Sequence, residues 1–490
     1  AVTDDPDQMR RATDAAVAAL ARADDAAAAG VPSEATDTEL AAARQVVDDL
    51  ARHTRLISAC AANREQFAAE FNDQRGFDNR RYYKPLTELC DRHDEALRQF
   101  GLDPINGDAD EVARAIAASR VRDSLLGILS EWQSQATTLA AGSDPGPRVS
   151  AAVARDRLGQ VIRSARGLSG GAYARWQDLL DRKDVPGLVA FADSADALSF
   201  RSTLAGALGQ DLLRAKQYPA CRTFLRAAVD RYPHDVWLHY DLCQVCRVMR
   251  PPHDAEALQH ISAASVQRPD SALFHELLGL CYLRLRSYDQ AATALRKAIS
   301  LSPDMYQAHV LLGCALSESQ DWDGAAGAFR AVVRLHPEEP RSTQGLISAL
   351  ASGGHHAEAL EFPLVALRRF PGLGEPRSPF RFGAAGDLLS CANGTSPYDP
   401  PPAERPAYRK RARDLLIAQL AEIRKLEGAD PAFVHHTMQF WLQHFEFASV
   451  REPAAERLPP DERDAWKKLW ADVRDLRDRT AAAGPPPGAK

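Results

Sequence analysis

The chain has 490 residues, 45% hydrophobic and 26% charged, a balance that excludes wholesale disorder and leaves room for about three domains or one long array. Sixty basic against sixty-six acidic side chains leave a net charge of −6, which argues against a nucleic-acid partner because phosphate binding needs a clustered cationic surplus. No uncharged apolar run approaches the ~18 residues of a membrane span, and no cofactor or metal is implied. The first residue is Ala1 rather than Met, so a start further upstream is expected, with any signal, anchor or additional domain there. The eight cysteines, at 60, 90, 221, 243, 246, 281, 314 and 391, are too sparse for a disulfide scaffold. Most fall inside apolar helical patterns, so free buried thiols in a reducing compartment, the cytoplasm, are expected.

Alanine and arginine are abundant and β-branched alternation is nearly absent, so helix is expected almost everywhere. A first helix runs over 1–30 and ends at Gly30; Asp37 or Thr38 caps a long second one reaching 71. Phe67, Phe71, Phe77, Tyr82, Tyr83 and Phe100 form an aromatic cluster, and Gly101-Leu102-Asp103-Pro104 stops the helix that carries its end. The pattern over 108–139 predicts one further helix, with Ile116, Val121, Leu125, Leu126, Ile128, Leu129 and Trp132 as its apolar stripe. The run 141–147 reads as a linker. These readings make 1–140 an N-terminal helical domain and 141–201 a linker with a helical lead-in.

The middle of the chain repeats. Proline stands at 233, 269, 303, 337 and 371, at intervals of 36, 34, 34 and 34, with Pro251-Pro252-His253 as a two-residue insertion in the longer one. Aligned on those prolines, Leu208-Gly209, Leu242-Cys243, Leu278-Gly279, Leu312-Gly313 and Leu346-Ile347 coincide, as do Cys221, Ala257, Ala291, Ala325 and Ala359. The small residue after the leucine lets one helix of each unit (A) approach the other (B), and the proline ends helix B because it lacks an amide hydrogen. These residues resemble a tetratricopeptide repeat (TPR) array of five units over 202–373. The resemblance implies an all-α fold, a helix–turn–helix superhelix flanked by the N-terminal long helices and by C-terminal helices. Pro363, inside the fifth B helix, predicts a kink or an early end there.

Beyond the array, 374–406 is a Gly/Pro-rich connector with room for a short helix over 380–391. Three helices then form a C-terminal cap over 407–480. The first spans 408–426, with Leu416, Leu420 and Ile423 on one face; the second spans 430–447, capped by Asp430 with Pro431 at its first position. The last spans 461–479, and its Trp466, Leu469, Trp470, Val473 and Leu476 read as a core-facing stripe. Residues 481–490 read as a disordered tail.

A wider resemblance rests on the run that starts at Phe77 and ends "ALRQFGLDP", and on "RDLLIAQLAEIRKL" and "LPPDERDAWKKLWADVRDL" further on. These stretches are similar to the non-kinase part of large bacterial eukaryotic-type Ser/Thr protein kinases. There a kinase domain is followed by helices, TPR units and a tryptophan-rich terminal segment. The resemblance implies a regulatory region. The chain has no Gly-rich nucleotide loop, no V-A-I-K lysine, no H-R-D loop and no D-F-G, so it is not itself an enzyme of that type, although a parent protein could carry the kinase upstream.

Several patterns superficially suggest chemistry. Gly167-Leu168-Ser169-Gly170-Gly171 matches the nucleophile elbow, but helical sequence precedes it where a strand is required. Cys243-x-x-Cys246 falls on packing positions of an A helix. His355-His356 with Glu358, and His435-His436 with His444, have no companion set that makes a metal site. Asn393-Gly394-Thr395 matches a glycosylation sequon by coincidence of composition.

Recognition is therefore expected on the groove lined by the A helices. The TPR resemblance assigns to it Trp237, Tyr240, Gln244 and Arg247, then Glu276, Leu280 and Arg284, then Gln307 and Val310, and last Arg341 and Gln344. Aromatic anchors beside arginines suit a protein or peptide partner. The asparagines that clamp carboxylates in some TPR proteins are replaced by Ala207, Asp241, Leu277, Leu311 and Gly345, so that mode is not expected. The rival readings are a self-associating structural protein, forming a homo-oligomer through the helices of 1–140, and an enzyme pocket within 1–200 near Tyr82 and Tyr83.

Overall fold

The computed structural model describes residues 6–28, 37–73, 79–119, 121–140, 145–335, 340–393 and 399–481, and among them it contains helices and loops but no strand. It divides into two compact units. Unit 1 comprises residues 1–287 and 297–305; unit 2 comprises 288–296 and 306–490.

Unit 1 opens with α1 (Pro6–Ala28) and α2 (Asp37–Asp73), joined by a 2.7 Å hydrogen bond between the buried hydroxyls of Thr13 and Thr54. Helix α3 (Asn79–Phe100) stops at Gly101, whose φ of +97° lets Leu102 N–H return to the Leu97 carbonyl. The single helix expected over 108–139 is in fact two, α4 (Ala109–Ala118) and α5 (Arg122–Ala140). Ser119 is extended, and its hydroxyl accepts from Val121 N–H at 3.2 Å, a local bond that competes with continuing the helix. The expected linker is also shorter than read: α6 (Pro145–Ser169) starts at a proline, which helix N-termini accommodate.

Helices α7 (Gly171–Asp181), α8 (Val185–Ala192) and α9 (Ala195–Leu198) complete the approach to the repeats. One continuous core links Leu129, Trp132, Leu158 and Ile162 with Trp176 and Phe200. Arg166 lies inside it, 3% exposed. Its guanidinium stacks 3.8 Å over Trp176 and donates to Ser130 Oγ and Gln177 Oε1, both at 2.9 Å. Burial pushes this guanidinium down to about 10.

Five A–B pairs follow in chain order: α10 (Ser202–Arg214) and α11 (Tyr218–Arg231), α12 (Val236–Val248) and α13 (Asp254–Gln267), α14 (Ala272–Arg284) and α15 (Tyr288–Leu301), α16 (Tyr306–Glu318) and α17 (Trp322–Leu335), α18 (Pro340–Ser352) and α19 (His356–Arg369). The expected small-residue contacts are present. A Cβ on Gly209 would lie 2.7 Å from Leu225, and one on Gly313 would lie 2.6 Å from the Phe329 ring, each sixteen residues ahead. The A–B turn has its own period: Lys216, Arg286, Gln320 and Gly354 all adopt positive φ there, the last three 34 residues apart. Helix α19 does not end early at Pro363. The proline is buried in mid-helix, and the turn beyond it closes normally, with Phe370 N–H on the Ala366 carbonyl.

Unit 2 continues with α20 (Phe380–Ala392), α21 (Arg405–Arg424) and α22 (Pro431–Gln443). Short 3-10 turns at Phe445–Val450 and Ala454–Arg457 then lead into α23 (Pro460–Arg479). The connector before α20 is pinned rather than loose: the buried Gln419 amide donates toward the carbonyls of Glu375, Pro376 and Ser378 at 3.0–3.3 Å. The tryptophan stripe of α23 is buried as its spacing predicts, with Trp466 and Trp470 stacked at 6.2 Å. The tail beyond 481 and most of the sequon at 393–395 lie outside the described residues.

Candidate functional site: the A-helix faces

In unit 1 the expected recognition residues of α12 form one polar–aromatic cluster, braced by Phe274 of α14. Trp237 meets Tyr240 edge-on at 5.6 Å and Phe274 edge-on at 5.8 Å, so its ring is braced by the next A helix while staying half-buried. Gln244 donates to the Tyr240 hydroxyl at 2.9 Å and accepts from Arg247. All four side chains of α12 keep some accessible surface. From α14, Leu280 is half-buried, and Arg284 is exposed and bonded to Asp254 at 2.5 Å. Glu276 departs from the expected lining: it is 2% exposed, inside the stack rather than on its surface.

In unit 2, Gln307 and Val310 are half-buried on α16 and Gln344 is exposed on α18. The Arg341 side chain lies outside the described residues, as do those of Tyr82 and Tyr83, where an enzyme pocket was the rival reading. A further feature of unit 1 is that α2 touches α14 and α5 touches α10, an A helix in each case. The α5 contact is close: a Cβ on Gly127 would lie 2.9 Å from the Thr203 side chain.

A histidine series escaped the motif reading. His239 and His275 each donate Nε2–H to the carbonyl of the proline six residues back, Pro233 at 3.1 Å and Pro269 at 2.9 Å. The sequence repeats the spacing at Pro303 and His309, so the period was there to find. With Nε2 committed as donor, Nδ1 of His239 accepts from His260 Nδ1–H at 3.1 Å. Burial, with His239 beside it, pushes His260 down to about 4. Below the ordinary value near 6.5 the unfolded chain takes up a proton that the folded chain excludes. Stability is therefore expected to fall as pH drops from about 6.5 to about 4. Urea midpoints across that window should fall less steeply for His260→Gln than for the wild type.

The other chemical patterns resolve as structure. Ser169 is helical, and its hydroxyl donates to the Ala165 carbonyl at 2.7 Å. Cys243 and Cys246 are buried; Cys243 lies beside Cys281, and burial pushes Cys246 up to about 12. His355 bonds Asp323 at 2.7 Å, His356 bonds the Tyr408 hydroxyl at 3.0 Å, and Glu358 pairs with Arg330 at 2.7 Å. No cluster of three metal-ligating side chains occurs among the described residues, and no described helix is long and apolar enough to cross a membrane.

The tetratricopeptide repeat family model matches residues 255–306 and 310–373. These segments are tetratricopeptide repeats. The matched TPR segments run from α13 through α15 to the first residue of α16, and from within α16 to just beyond the fifth pair. The A-helix cluster of unit 1 lies on and just before the first TPR match. A MamA crystal structure is 19% identical, covering 35% of this chain and 93% of its own, with a TM-score of 0.33. MamA from Desulfovibrio magneticus RS-1 is also 19% identical, covering 34% of this chain and 93% of its own, at a TM-score of 0.32. No match is found among the curated proteins.

Proposed function

We propose that the chain is a protein–protein interaction scaffold that holds a peptide or protein segment against the A-helix faces of its TPR units. The observation that carries this reading is the cluster on α12. Trp237 is braced on Phe274 and Tyr240 with surface to spare, and Arg247 is oriented by Gln244 at its edge. A rigid aromatic anchor beside an arginine is the arrangement interface hot spots use, and the bracing lowers the entropy lost on binding. The chemistry required is burial of a partner side chain against the indole, with hydrogen bonds from Arg247; no bond is made or broken.

The test uses peptides selected on the wild-type chain from a random library. Trp237→Ala combined with Arg247→Glu is expected to weaken the selected peptides by about 100-fold or more, the scale of a lost hot spot. The far-UV circular dichroism should stay helical. Selected peptides that bind the double variant equally well would refute the assignment.

The similarity at 77–104, 413–426 and 458–476 supports a narrower role, as the regulatory region of a bacterial Ser/Thr protein kinase system. A kinase catalytic domain encoded in frame ahead of Ala1 would support it. A genomic neighbourhood without any such kinase would remove this narrower role and leave the scaffold reading standing.

A further inference from the structure

Successive A helices of unit 1 each carry an arginine in the last turn: Arg214 on α10, Arg247 on α12 and Arg284 on α14. The end of a helix favours a cation, which accounts for the three positions. Two of the charges are cancelled within the chain, Arg214 by Asp211 and Arg284 by Asp254. Arg247 is the exception, and no carboxylate among the described residues pairs with it. Asp254 is taken by Arg284 at 2.5 Å, and Glu276 of α14 is enclosed and not bonded to it.

The groups that do hold Arg247 are neutral. Its Nη1 donates to the Gln244 amide oxygen, and Gln244 in turn donates to the Tyr240 hydroxyl at 2.9 Å. An amide and a phenol fix the guanidinium without cancelling its charge, and its Nε has no hydrogen-bond partner. Elsewhere the chain meets a half-buried guanidinium with its own acid, as Arg409 does with Glu462. Arg247 is half-buried already, so a segment laid over α12 would strip it of the remaining water. A cation desolvated without a counter-charge opposes binding, whereas one met by a carboxylate gains a charge-assisted hydrogen bond.

We propose, resting on the scaffold reading above, that the segment held on α12 is extended and acidic, with an aspartate or glutamate side chain seated on Arg247 and an apolar side chain on Trp237. Residues 237, 240, 244 and 247 follow the spacing of one helix face. Ten residues of helix separate the indole from the guanidinium, a rise of about 15 Å. An extended chain covers that distance in about four or five residues, which fixes the spacing of apolar residue and acid in the partner.

The probe is a random library of short peptides with amidated C-termini, screened on the full chain. The recovered peptides are expected to share an acid about four or five positions from an apolar or aromatic residue. Replacing that acid by its amide is expected to weaken binding to the wild type about 10-fold and to leave binding to Arg247→Gln unchanged. The first comparison alters only the peptide, so it stands even if Arg247→Gln proves unstable. Peptides that depend on Trp237 but carry no such acid would overturn the proposal and leave the scaffold reading intact. So would an acid whose replacement costs the same on Arg247→Gln. Peptides indifferent to Trp237→Ala, or no binders at all, would overturn both. A library that yields binders only when remade with free C-terminal carboxylates would also overturn the proposal, because the acid would then be the chain end.

Discussion

Trp470→Ala is expected to cost the C-terminal helices of unit 2 about 3–5 kcal/mol, the scale of a fully buried tryptophan removed from a packed core. The indole is 3% exposed, stacked on Trp466 and edge-on to Phe447 at 5.9 Å. Its Nε1–H donates to the Val450 carbonyl at 2.9 Å, tying α23 to the 3-10 turn before it. Alanine would leave a cavity and an unsatisfied buried carbonyl together. Trp470→Phe separates the two contributions: it keeps most of the ring volume and should cost about 1–3 kcal/mol for the orphaned acceptor. Hydrogen exchange of the α23 amides is the direct readout. A loss below about 1 kcal/mol for Trp470→Ala would contradict the packing described.

Gly345→Ala should destabilise unit 2 by about 1–3 kcal/mol, although alanine is the better helix former by about 1 kcal/mol. The Phe329 ring is 4% exposed and held from both sides, 2.6 Å from a Cβ on Gly313 and 2.5 Å from one on Gly345. It cannot retreat from one glycine without meeting the other. Gly327→Ala is the internal control, because nothing stands within 4 Å of its added Cβ. That exposed position should gain up to about 1 kcal/mol. Denaturant midpoints of the three chains, compared at constant slope, decide the matter. Relief of the Gly345→Ala penalty by Phe329→Leu would identify the ring as its source.

The repeat was legible because its constraints are local and periodic. The prolines at 233, 269, 303, 337 and 371 and the small residues at 209 and 313 fix where helices end and how closely they approach. Features set by a single bond or by a distant segment were not. The break at Ser119 depends on one hydroxyl–amide bond inside an otherwise continuous apolar stripe. Pro363 reads as a helix breaker, yet its surroundings hold the helix through to Arg369. Glu276 carries a charge that favours the surface, yet the folded chain leaves it only 2% exposed. The histidines at 239 and 275 were periodic and therefore readable, but their partner is a backbone carbonyl, which leaves no trace in side-chain patterns.

The contact of α2 with α14 changes what an affinity measured on unit 1 would mean. Any ligand that needs the stretch of α14 under α2 competes with a rival on the same chain that already lies there. Its observed Kd would equal the intrinsic one divided by the fraction of molecules in which the rival has lifted away. Substitutions on α2 that never touch the ligand would then tighten binding, and would do so by the same factor for every ligand using that stretch.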